Sequence, residues 1–433
     1  MGSGIELRPA LKIGLTPIRR CRGVRVVNHL TKRRCFMKVS RVLATLLVVG
    51  FICFLTVPCL AQRGVTKDTV KIGLILCKTG PVATLGLPDG QGRIDYMQYV
   101  NEQGGVNGRK IEIIWEDDEF EAPKSVAALK KLITRDNVLT VQTTGGSQQT
   151  IANMKNINEY KVPNIPNALM KEFYDPYQPY IFATGATYEA QSECIVDYII
   201  HNLKEKNPRI GVVYAKKEYG KIVLEAVKKR AKAYGVDLVS ELALPTGAVD
   251  ASSQVLTLQD NKVDYVITAD VLPPIITFLK TTQKFNYWPK NVFGINWATD
   301  DMIVKACGEA AKDYIGVNCI GSWWDDSPGM KLIREIAKKN NREISLTSTY
   351  TYGAGISMLF AEGIKRTGKD LTPDSLKAAF ETFKEYDSGG VFPPITWTSK
   401  SHMPPEMVKF FKTDVPNKRL VAITDWRKPK EMK

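Results

Sequence analysis

The sequence predicts an α/β fold of two lobes, each built around a parallel sheet. From Val70 onwards, short β-branched runs alternate with longer segments of helical periodicity. The same alternation starts again after Thr187, and no Gly/Ser-rich linker separates the two halves. Alternating strands and helices favour right-handed crossover units around parallel sheets. Short crossing segments near Thr187 and Gly321 are therefore expected to join the lobes.

The individual elements follow from these patterns in chain order. The first half predicts strands at 71–76, 110–116, 138–142, 162–164 and 180–183, and helices at 89–103, 122–135 and 147–160. The second half predicts helices at 189–204, 220–234, 251–259, 273–283 and 300–307, and strands at 209–214, 236–243, 265–269, 291–294 and 314–320. A mostly helical section follows, with helices at 328–339, 352–367 and 373–383 and candidate strands at 393–396 and 420–426.

The first strand runs into a loop of small residues, Thr79–Gly86. Ligands of open α/β sheets bind at the carboxyl ends of the strands, where such loops lie. Gly80 allows a close backbone approach to a ligand, and Pro81 stiffens the turn. The loop is either one wall of a binding site or a plain connection between a strand and a helix.

Charge is concentrated at the N-terminus. The formal net charge is +15, but residues 1–41 carry eleven of the 60 Lys and Arg residues and one of the 45 acidic residues. The rest of the chain is only mildly basic, so no nucleic acid partner is predicted.

The first 61 residues predict an export signal. A basic segment ends at Arg41, the apolar run Val42–Val57 follows, and small residues precede Gln62. This order is typical of a secretory signal peptide, with translation starting at Met37 and cleavage after Ala61. An uncleaved membrane anchor is the alternative, although the run is short for a full span.

Cysteine and histidine do not indicate a metal or a cofactor. Four cysteines follow Ala61: Cys77, Cys194, Cys307 and Cys319. Cys307 and Cys319 could pair in an exported chain, or all four could be small buried residues. The chain has no Cys-x-x-Cys motif, and only two histidines follow Ala61, which argues against a zinc site or a Ser-His-Asp triad.

A predicted anion site lies between the third strand and its helix. Thr143-Thr144-Gly145-Gly146-Ser147 combines hydroxyls with the backbone N–H groups of a helix N-terminus, which suits a carboxylate or phosphate. The segment lacks the Gly-Lys-Ser/Thr ending of a P-loop and the Gly-x-Gly-x-x-Gly dinucleotide pattern. A helix cap with a tight turn is the alternative.

Acidic and aromatic residues also cluster at predicted strand ends. Glu116–Glu119 could serve hydrolysis or metal binding, but a solvated loop is the preferred interpretation. Aromatic walls with a few polar groups are typical of small-molecule pockets. The aromatic residues at or beside loop ends are Tyr188, Tyr219, Trp297, Trp323, Trp324, Tyr350 and Tyr352.

The segment Gly104–Glu112, with Glu116-Asp117-Asp118 after it and Thr79–Gly86 before it, resembles the branched-chain amino acid binding proteins of ABC transporters. These are type I periplasmic binding proteins. Further similar segments follow in order at 164–168, 219–220, 308–311 and 361–368. The resemblance extends from about Val65 to the end of the chain.

The resemblance implies two Rossmann-like lobes joined by three crossover segments, with a ligand in the cleft between them. It places lobe I at 66–187 plus 322–400 and lobe II at 188–321 plus 401–433, after the extension and signal peptide at 1–61. In the family, backbone N–H groups and hydroxyls of the first lobe hold the ligand carboxylate. Here that role falls on Gly145, Gly146, Ser147, Ala168 and Leu169, while the loop from Gly80 to Gly86 covers the ligand with Leu85.

Some positions depart from the family pattern. Leu169 stands where amino acid binders usually have Thr, and the aromatic and acidic positions that hold an ammonium group fall on Val271 and Asn296. Asp270 is the only carboxylate nearby, and a buried ammonium without a partner loses several kcal/mol. We therefore hypothesise a ligand other than a standard α-amino acid. An aromatic or aliphatic carboxylate, or an amide-like molecule, would suit the set Leu169, Val271, Trp297 and Tyr350.

These features predict a non-enzymatic, exported solute-binding protein. It would act in the periplasm or outside the cell as a monomer, and deliver one small molecule to the membrane permease of an ABC transporter. A sensory module that reports to a receptor is one alternative. An exported hydrolase that uses Ser147 or the Glu116–Glu119 acids is another, but no base stands next to a nucleophile.

Overall fold

A computed structural model describes residues 62–344 and 347–432. The predicted signal peptide, including the start at Met37 and the cleavage after Ala61, lies outside the described residues. Within those two ranges, no helix combines the length and the apolarity that a membrane span requires.

The first lobe is organised around a three-stranded parallel sheet in the order β2-β1-β3. Its elements are β1 (Thr69–Ile75), α1 (Ala83–Glu102), β2 (Lys110–Glu116), α2 (Ala122–Thr134), β3 (Thr140–Val141) and α3 (Ser147–Glu159). The central strand β1 is paired on both sides, with Ile72 opposite Ile113 and Thr140. Val70, Ile72 and Leu74 have no exposed surface, as expected for a strand covered on both faces.

The second lobe is organised around a seven-stranded sheet in the order β10-β9-β8-β7-β6-β4-β5. It begins with α4 (Tyr188–Asp197), β4 (Ile210–Ala215), α5 (Glu218–Ala233), β5 (Leu238–Leu244), α6 (Ser252–Asp260) and β6 (Tyr265–Ala269). It continues with α7 (Leu272–Lys284), β7 (Asn291–Gly294), α8 (Met302–Cys307) and β8 (Tyr314–Asn318). Strands β4 to β8 pair in parallel, which confirms the predicted α/β class.

Three late helices return to the first lobe. They are α9 (Pro328–Lys339), α10 (Thr347–Thr367) and α11 (Pro373–Phe380). Buried residues of these helices, such as Ile333, Leu359 and Phe380, share one hydrophobic cluster with Val70 and Ile72 of β1. The lobe boundaries 66–187 with 322–400 and 188–321 with 401–433 stay a proposal, which this cluster and the two sheets support.

The chain crosses between the lobes three times. The first two crossings lie near Thr187 and Gly321, and the third leads to β9 (Lys409–Asp414) and β10 (Arg419–Ala422). Glu406, on the third crossing, accepts hydrogen bonds from the backbone N–H of Thr187 at 2.9 Å and from its hydroxyl at 3.1 Å. Two of the crossing segments are therefore tied together.

Several element predictions are corrected by the structure. The strand β9 is absent from the predictions, and both β9 and β10 run antiparallel to their neighbours, so the second sheet is mixed at this edge. The predicted strands at 162–164, 180–183 and 393–396 are reduced to single bridges. Charged residues stand at both ends of Lys409–Asp414, so the sequence does not indicate this strand, which is paired on both sides by β8 and β10.

Two helices begin earlier than predicted. Helix α1 starts at Ala83 rather than Asp89 and contains Pro88. Gly86 makes this possible because a Cβ there would lie 2.0 Å from the carbonyl oxygen of Cys77. Helix α10 starts at Thr347 rather than Tyr352, and the Asp300 carboxylate accepts from the Ser348 N–H at 2.8 Å, which stabilises that end.

The cysteines among the described residues are all buried free thiols. Cys307 approaches the carbonyl of Ile276 at 3.8 Å, whereas Cys319 approaches that of Ala186 at 3.8 Å. The disulfide considered for Cys307 and Cys319 is therefore not formed, and the interpretation as small buried residues agrees with the structure.

Candidate functional site

A cleft with about 610 Å³ of space, part of it open to solvent, lies where the carboxyl ends of strands from both sheets face each other. One wall comes from residues that follow β1, β2 and β3, and the other from residues that follow β4, β6 and β7. The residues that line it are Leu76, Cys77, Val82, Leu85, Gly86, Asp89, Asp118, Phe120, Gly145, Gly146, Ser147, Asn167, Tyr188, Tyr219, Val271, Trp297 and Thr349. None of these described lining residues is Lys, Arg or His.

The N-terminus of helix α3 forms part of the first wall. Gly145 has a φ of +93°, a conformation that favours glycine, and turns the chain from β3 into the helix. Gly146 is the N-cap, and no side chain caps the helix. The first N–H groups of a helix carry partial positive charge, so this end of the cleft suits an anionic or carbonyl oxygen.

An uncompensated carboxylate lies behind the same turn. Asp118 is 1% exposed, and its Oδ1 accepts from the N–H of Phe120 at 3.0 Å. Its Oδ2 is buried and has no hydrogen-bond partner among the described residues. Burial is the main cause that raises the pKa of Asp118 to about 6, and the nearby charge of Asp117 is a smaller cause. The prediction of a solvated acidic loop is thus wrong for Asp118.

The second acidic lining residue is paired. Asp89 Oδ1 lies 2.5 Å from Arg93 Nε, and both side chains are fully buried within helix α1. Asn167 donates to the other oxygen of Asp89 and accepts from Arg93 Nη2 at 2.9 Å. This closed set of hydrogen bonds leaves Asp89 without free charge for a ligand.

Tyr188 and Tyr219 of the second lobe meet at the opposite wall. The centroids of their rings are 6.1 Å apart. Trp297 Nε1 donates to the hydroxyl of Tyr188 at 2.9 Å, whereas the hydroxyl of Tyr219 donates to Asp270 Oδ1 at 2.7 Å. Asp270 itself is fully buried behind Tyr219, and burial raises its pKa to about 6.

The cleft brings together eight of the residues predicted from the sequence. They are Leu85, Gly145, Gly146, Ser147, Tyr188, Tyr219, Val271 and Trp297. Leu85 reaches the cleft from the first turn of helix α1 rather than from a loop. The role of these residues in binding stays a prediction.

Six predicted residues do not line the cleft. Gly80 packs against the carbonyl of Glu119, and Asp270 lies behind Tyr219. Ala168 and Leu169 belong to the hydrophobic core, and Asn296 lines a smaller cavity beside Trp297. Tyr350 is fully buried and donates to Asp95 Oδ2 at 2.9 Å, so its neighbour Thr349 faces the cleft instead.

The lining residues that the predictions missed are mostly from the first lobe. Among them, Asp118 and Phe120 follow β2 directly, and a rule that places ligands at strand ends would have selected them. Asp89, Asn167 and Thr349 carry no such signal, because they reach the cleft only through the packing of α1, the segment after α3, and α10.

Nothing in the cleft supports catalysis. Both described histidines lie elsewhere: His402 stacks on Phe182, and His201 contacts Tyr234. Ser147 therefore has no neighbouring imidazole base. Within residues 62–344 and 347–432, no group of His, Cys, Asp and Glu side chains is arranged to hold a metal ion.

Two α/β lobes, three crossings and a ligand-sized cleft at facing strand ends define a two-lobed solute-binding protein. The family model described as "Periplasmic binding protein" matches residues 69–418. The chain therefore belongs to the periplasmic binding protein family, whose members bind solutes and are not enzymes.

Curated relatives span nearly the whole folded chain. The leucine-, isoleucine-, valine-, threonine-, and alanine-binding protein of Pseudomonas aeruginosa is 23% identical over 349 residues, covering 80% of this chain and 90% of the relative. The leucine-specific-binding protein of Salmonella typhimurium is 21% identical over 346 residues, with 79% and 90% covered.

Solved structures share the fold. A branched chain amino acid ABC transporter protein from Thermus thermophilus with bound valine gives a TM-score of 0.78 at 20% identity, covering 84% of this chain and 97% of that one. A fatty acid ABC transporter substrate-binding protein from Thermomonospora curvata gives 0.78 at 24% identity, with 86% and 95% covered. At these identities the likeness establishes the type I periplasmic binding protein fold.

Proposed function

We propose that this protein captures a small carboxylate with an apolar body in the cleft and delivers it to the permease of an ABC transporter. The observation that carries the proposal is the composition of the cleft. An uncapped helix N-terminus at Gly146 and Ser147 lies among apolar and aromatic lining side chains, with Phe120 on the same wall and Trp297 on the opposite wall. The relatives whose names state a ligand bind amino acids or a fatty acid, and both kinds of molecule carry a carboxylate.

Capture follows from the two-lobed architecture. A ligand that touches Ser147 on one lobe and Tyr219 on the other makes both sets of contacts only when the lobes are closed together, so binding favours the closed form. Export by the N-terminal segment, action as a monomer and delivery to a permease belong to this proposal, and the family membership supports them.

An α-amino acid suits the cleft better than the departures from the family pattern suggest. Those departures place Val271 and Asn296 where an aromatic residue and an acid are needed to hold an ammonium group. Asn296 does not line the cleft, and the hydrogen-bonded pair of Tyr219 and Asp270 supplies an aromatic ring and a carboxylate at that wall. Amino acids therefore remain among the carboxylates to be tested.

Isothermal titration calorimetry on ligand-free chain 62–433 tests the proposal. We expect at least one aliphatic or aromatic monocarboxylate, or one apolar amino acid, to bind. Ser147→Glu places a negative charge at the first turn of α3, which suits the helix but repels a ligand carboxylate. Like charges in contact cost several kcal/mol, so affinity should fall by about 100-fold or more.

Gln148→Glu is the matched control. Gln148 lies on the same turn of α3 but is exposed and does not line the cleft. The Gln148→Glu variant introduces the same charge as Ser147→Glu and should leave the affinity for the carboxylate nearly unchanged. Failure of every carboxylate to bind, or equal affinity in the Ser147→Glu variant, would contradict the proposed site.

A further inference from the structure

The carboxylate of Asp118 lies directly behind the helix N-terminus where the ligand carboxylate is expected. Asp118 lines the first wall of the cleft together with Gly145, Gly146 and Ser147. Its Oδ2 lies 2.8 Å from the position that a Cβ would take on Gly145, the residue before the N-cap of α3. A ligand carboxylate at Gly146 and Ser147 and an ionised Asp118 would therefore be two negative charges side by side.

Neutral groups surround Asp118. Its Oδ1 accepts from the N–H of Phe120 at 3.0 Å, and its Oδ2 is buried without a hydrogen-bond partner among the described residues. The amide of Gln149, on the next turn of α3, is also buried without a partner, and its Cβ lies 3.3 Å from the same Gly145 position. This amide carries no charge, so a hydrogen bond from it would leave the charge of Asp118 in place.

The basic residues on the adjoining segments have other partners. Lys124 Nζ, on α2, lies 2.6 Å from a carboxylate oxygen of Glu119. Lys78 Nζ, after β1, donates to the carbonyl of Trp115 at 2.8 Å. Neither cation therefore offsets the charge of Asp118.

The other titratable groups that face Asp118 do not offset its charge either. Asp117 is the next residue along the chain, and its negative charge disfavours a second one beside it. Burial raises the pKa of the Cys77 thiol to about 12, so Cys77 stays neutral. Asp89, across the cleft wall on α1, is paired with Arg93.

A proton is the cation that can neutralise this carboxylate. Oδ2 has almost no exposed surface, so an ammonium group of a ligand cannot pair with it. Burial raises the pKa of Asp118 to about 6, which brings its protonation close to neutral pH. A ligand carboxylate beside it would raise this pKa further, because like charges disfavour the ionised form.

We propose that Asp118 couples the capture of a carboxylate to the uptake of one proton. When the ligand arrives, the ionised side chain takes a proton from solvent and becomes a neutral acid, so the site holds one negative charge instead of two. The inference rests on the proposed function, in which the ligand carboxylate lies at α3, and adds to it a control by pH.

The direction of the pH dependence follows from linkage. Ligand binding favours the protonated side chain, so affinity should rise as the pH falls from about 8 to about 6, and level off once Asp118 is protonated without ligand. Two unit charges about 6 Å apart at an effective dielectric constant of about 20 repel enough to change affinity by about 100-fold. Solvent in the cleft screens part of this, so we expect a change of about tenfold or more.

Calorimetric titration of ligand-free chain 62–433 with leucine, 4-methylpentanoate and 3-phenylpropanoate is the experiment. Each of these that binds should do so about tenfold or more tightly at about pH 6 than at about pH 8. Titrations at about pH 7 in phosphate and in Tris, whose enthalpies of ionisation differ, measure the proton uptake directly. We expect about half a proton or more for each ligand bound.

Two variants assign the proton to its site. Asp118→Asn keeps an oxygen for the Phe120 N–H and has no charge, so at about pH 8 it should bind as tightly as the parent does at about pH 6, without proton uptake. Asp117→Asn is the matched control, which removes the neighbouring carboxylate and should keep both the pH dependence and the proton uptake. Burial also raises the pKa of Asp270, on the opposite wall, to about 6. Proton uptake that persists in Asp118→Asn would point to Asp270 and overturn the proposal.

The outcomes separate the two proposals. If none of the three carboxylates binds at either pH, the proposed carboxylate function fails. If a carboxylate binds equally well at both pH values and without proton uptake, or if Asp118→Asn keeps the pH dependence of the parent, the carboxylate function stands and the role of Asp118 is refuted.

Discussion

The unpartnered carboxylate of Asp118 predicts that Asp118→Asn makes the protein more stable at neutral pH. Burial raises its pKa from an ordinary value near 3.9 to about 6. Because each tenfold change in acid dissociation corresponds to about 1.4 kcal/mol, ionisation of Asp118 opposes folding by roughly 3 kcal/mol. Asparagine keeps an oxygen for the Phe120 N–H and has no charge, so we expect a gain of about 1–3 kcal/mol in unfolding free energy.

The sign of the pH dependence follows from the raised pKa. In the folded state Asp118 holds its proton up to about pH 6, whereas the unfolded chain loses it near pH 4. The penalty is therefore full above pH 6, declines between pH 6 and pH 4, and disappears below pH 4. The advantage of the variant should be large at pH 7.5 and small at pH 4.

Urea unfolding of ligand-free chain 62–433 at these two pH values is the assay. Asp117→Asn is the matched control. Burial raises the Asp117 pKa, but hydrogen bonds from the Glu119 N–H, the Thr79 hydroxyl and the Lys78 N–H outweigh burial and lower it overall. Asp117→Asn should therefore lose stability at pH 7.5. An Asp118→Asn variant that is less stable than the parent, or equally stabilised at both pH values, would refute the reasoning.

Three further predictions concern the cleft, the contact between the lobes and the cysteines. Leu85→Asp should weaken ligand binding about tenfold or more in calorimetry and leave the circular dichroism spectrum unchanged. Leu87→Asp, at a 40% exposed position of the same helix, is the control and should leave the affinity unchanged. Equal affinities of the two variants would remove Leu85 from the site. Asp300→Ala leaves the N–H and the hydroxyl of Ser348 without their acceptor. It should lower the free energy of unfolding in urea by about 1–3 kcal/mol. An unchanged midpoint of the urea unfolding curve would contradict this. Thiol titration of chain 62–433 should find no reactive cysteine before unfolding and four afterwards; fewer than four would indicate a disulfide among Cys77, Cys194, Cys307 and Cys319.

Local patterns in the sequence determined most of the fold. Strand β2 and helix α9 have the predicted bounds, because each is defined by residues close together in the chain. The glycine turn before Ser147 is also predicted by the sequence, because two glycines between a strand and the start of a helix specify a local geometry. The resemblance of Gly104–Glu112 to periplasmic binding proteins led to the family that the comparison shows.

The tertiary structure alone decided which side chains meet in the cleft. Asp118 is buried because Gly145 and Phe120 cover it, although its neighbours in sequence suggest a solvated loop. Tyr219 and Asp270 lie 51 positions apart and become one hydrogen-bonded pair where β4 and β6 run side by side. Partners that come from different strands leave no trace in local periodicity, so the polarity of each wall depends on how the lobes fold.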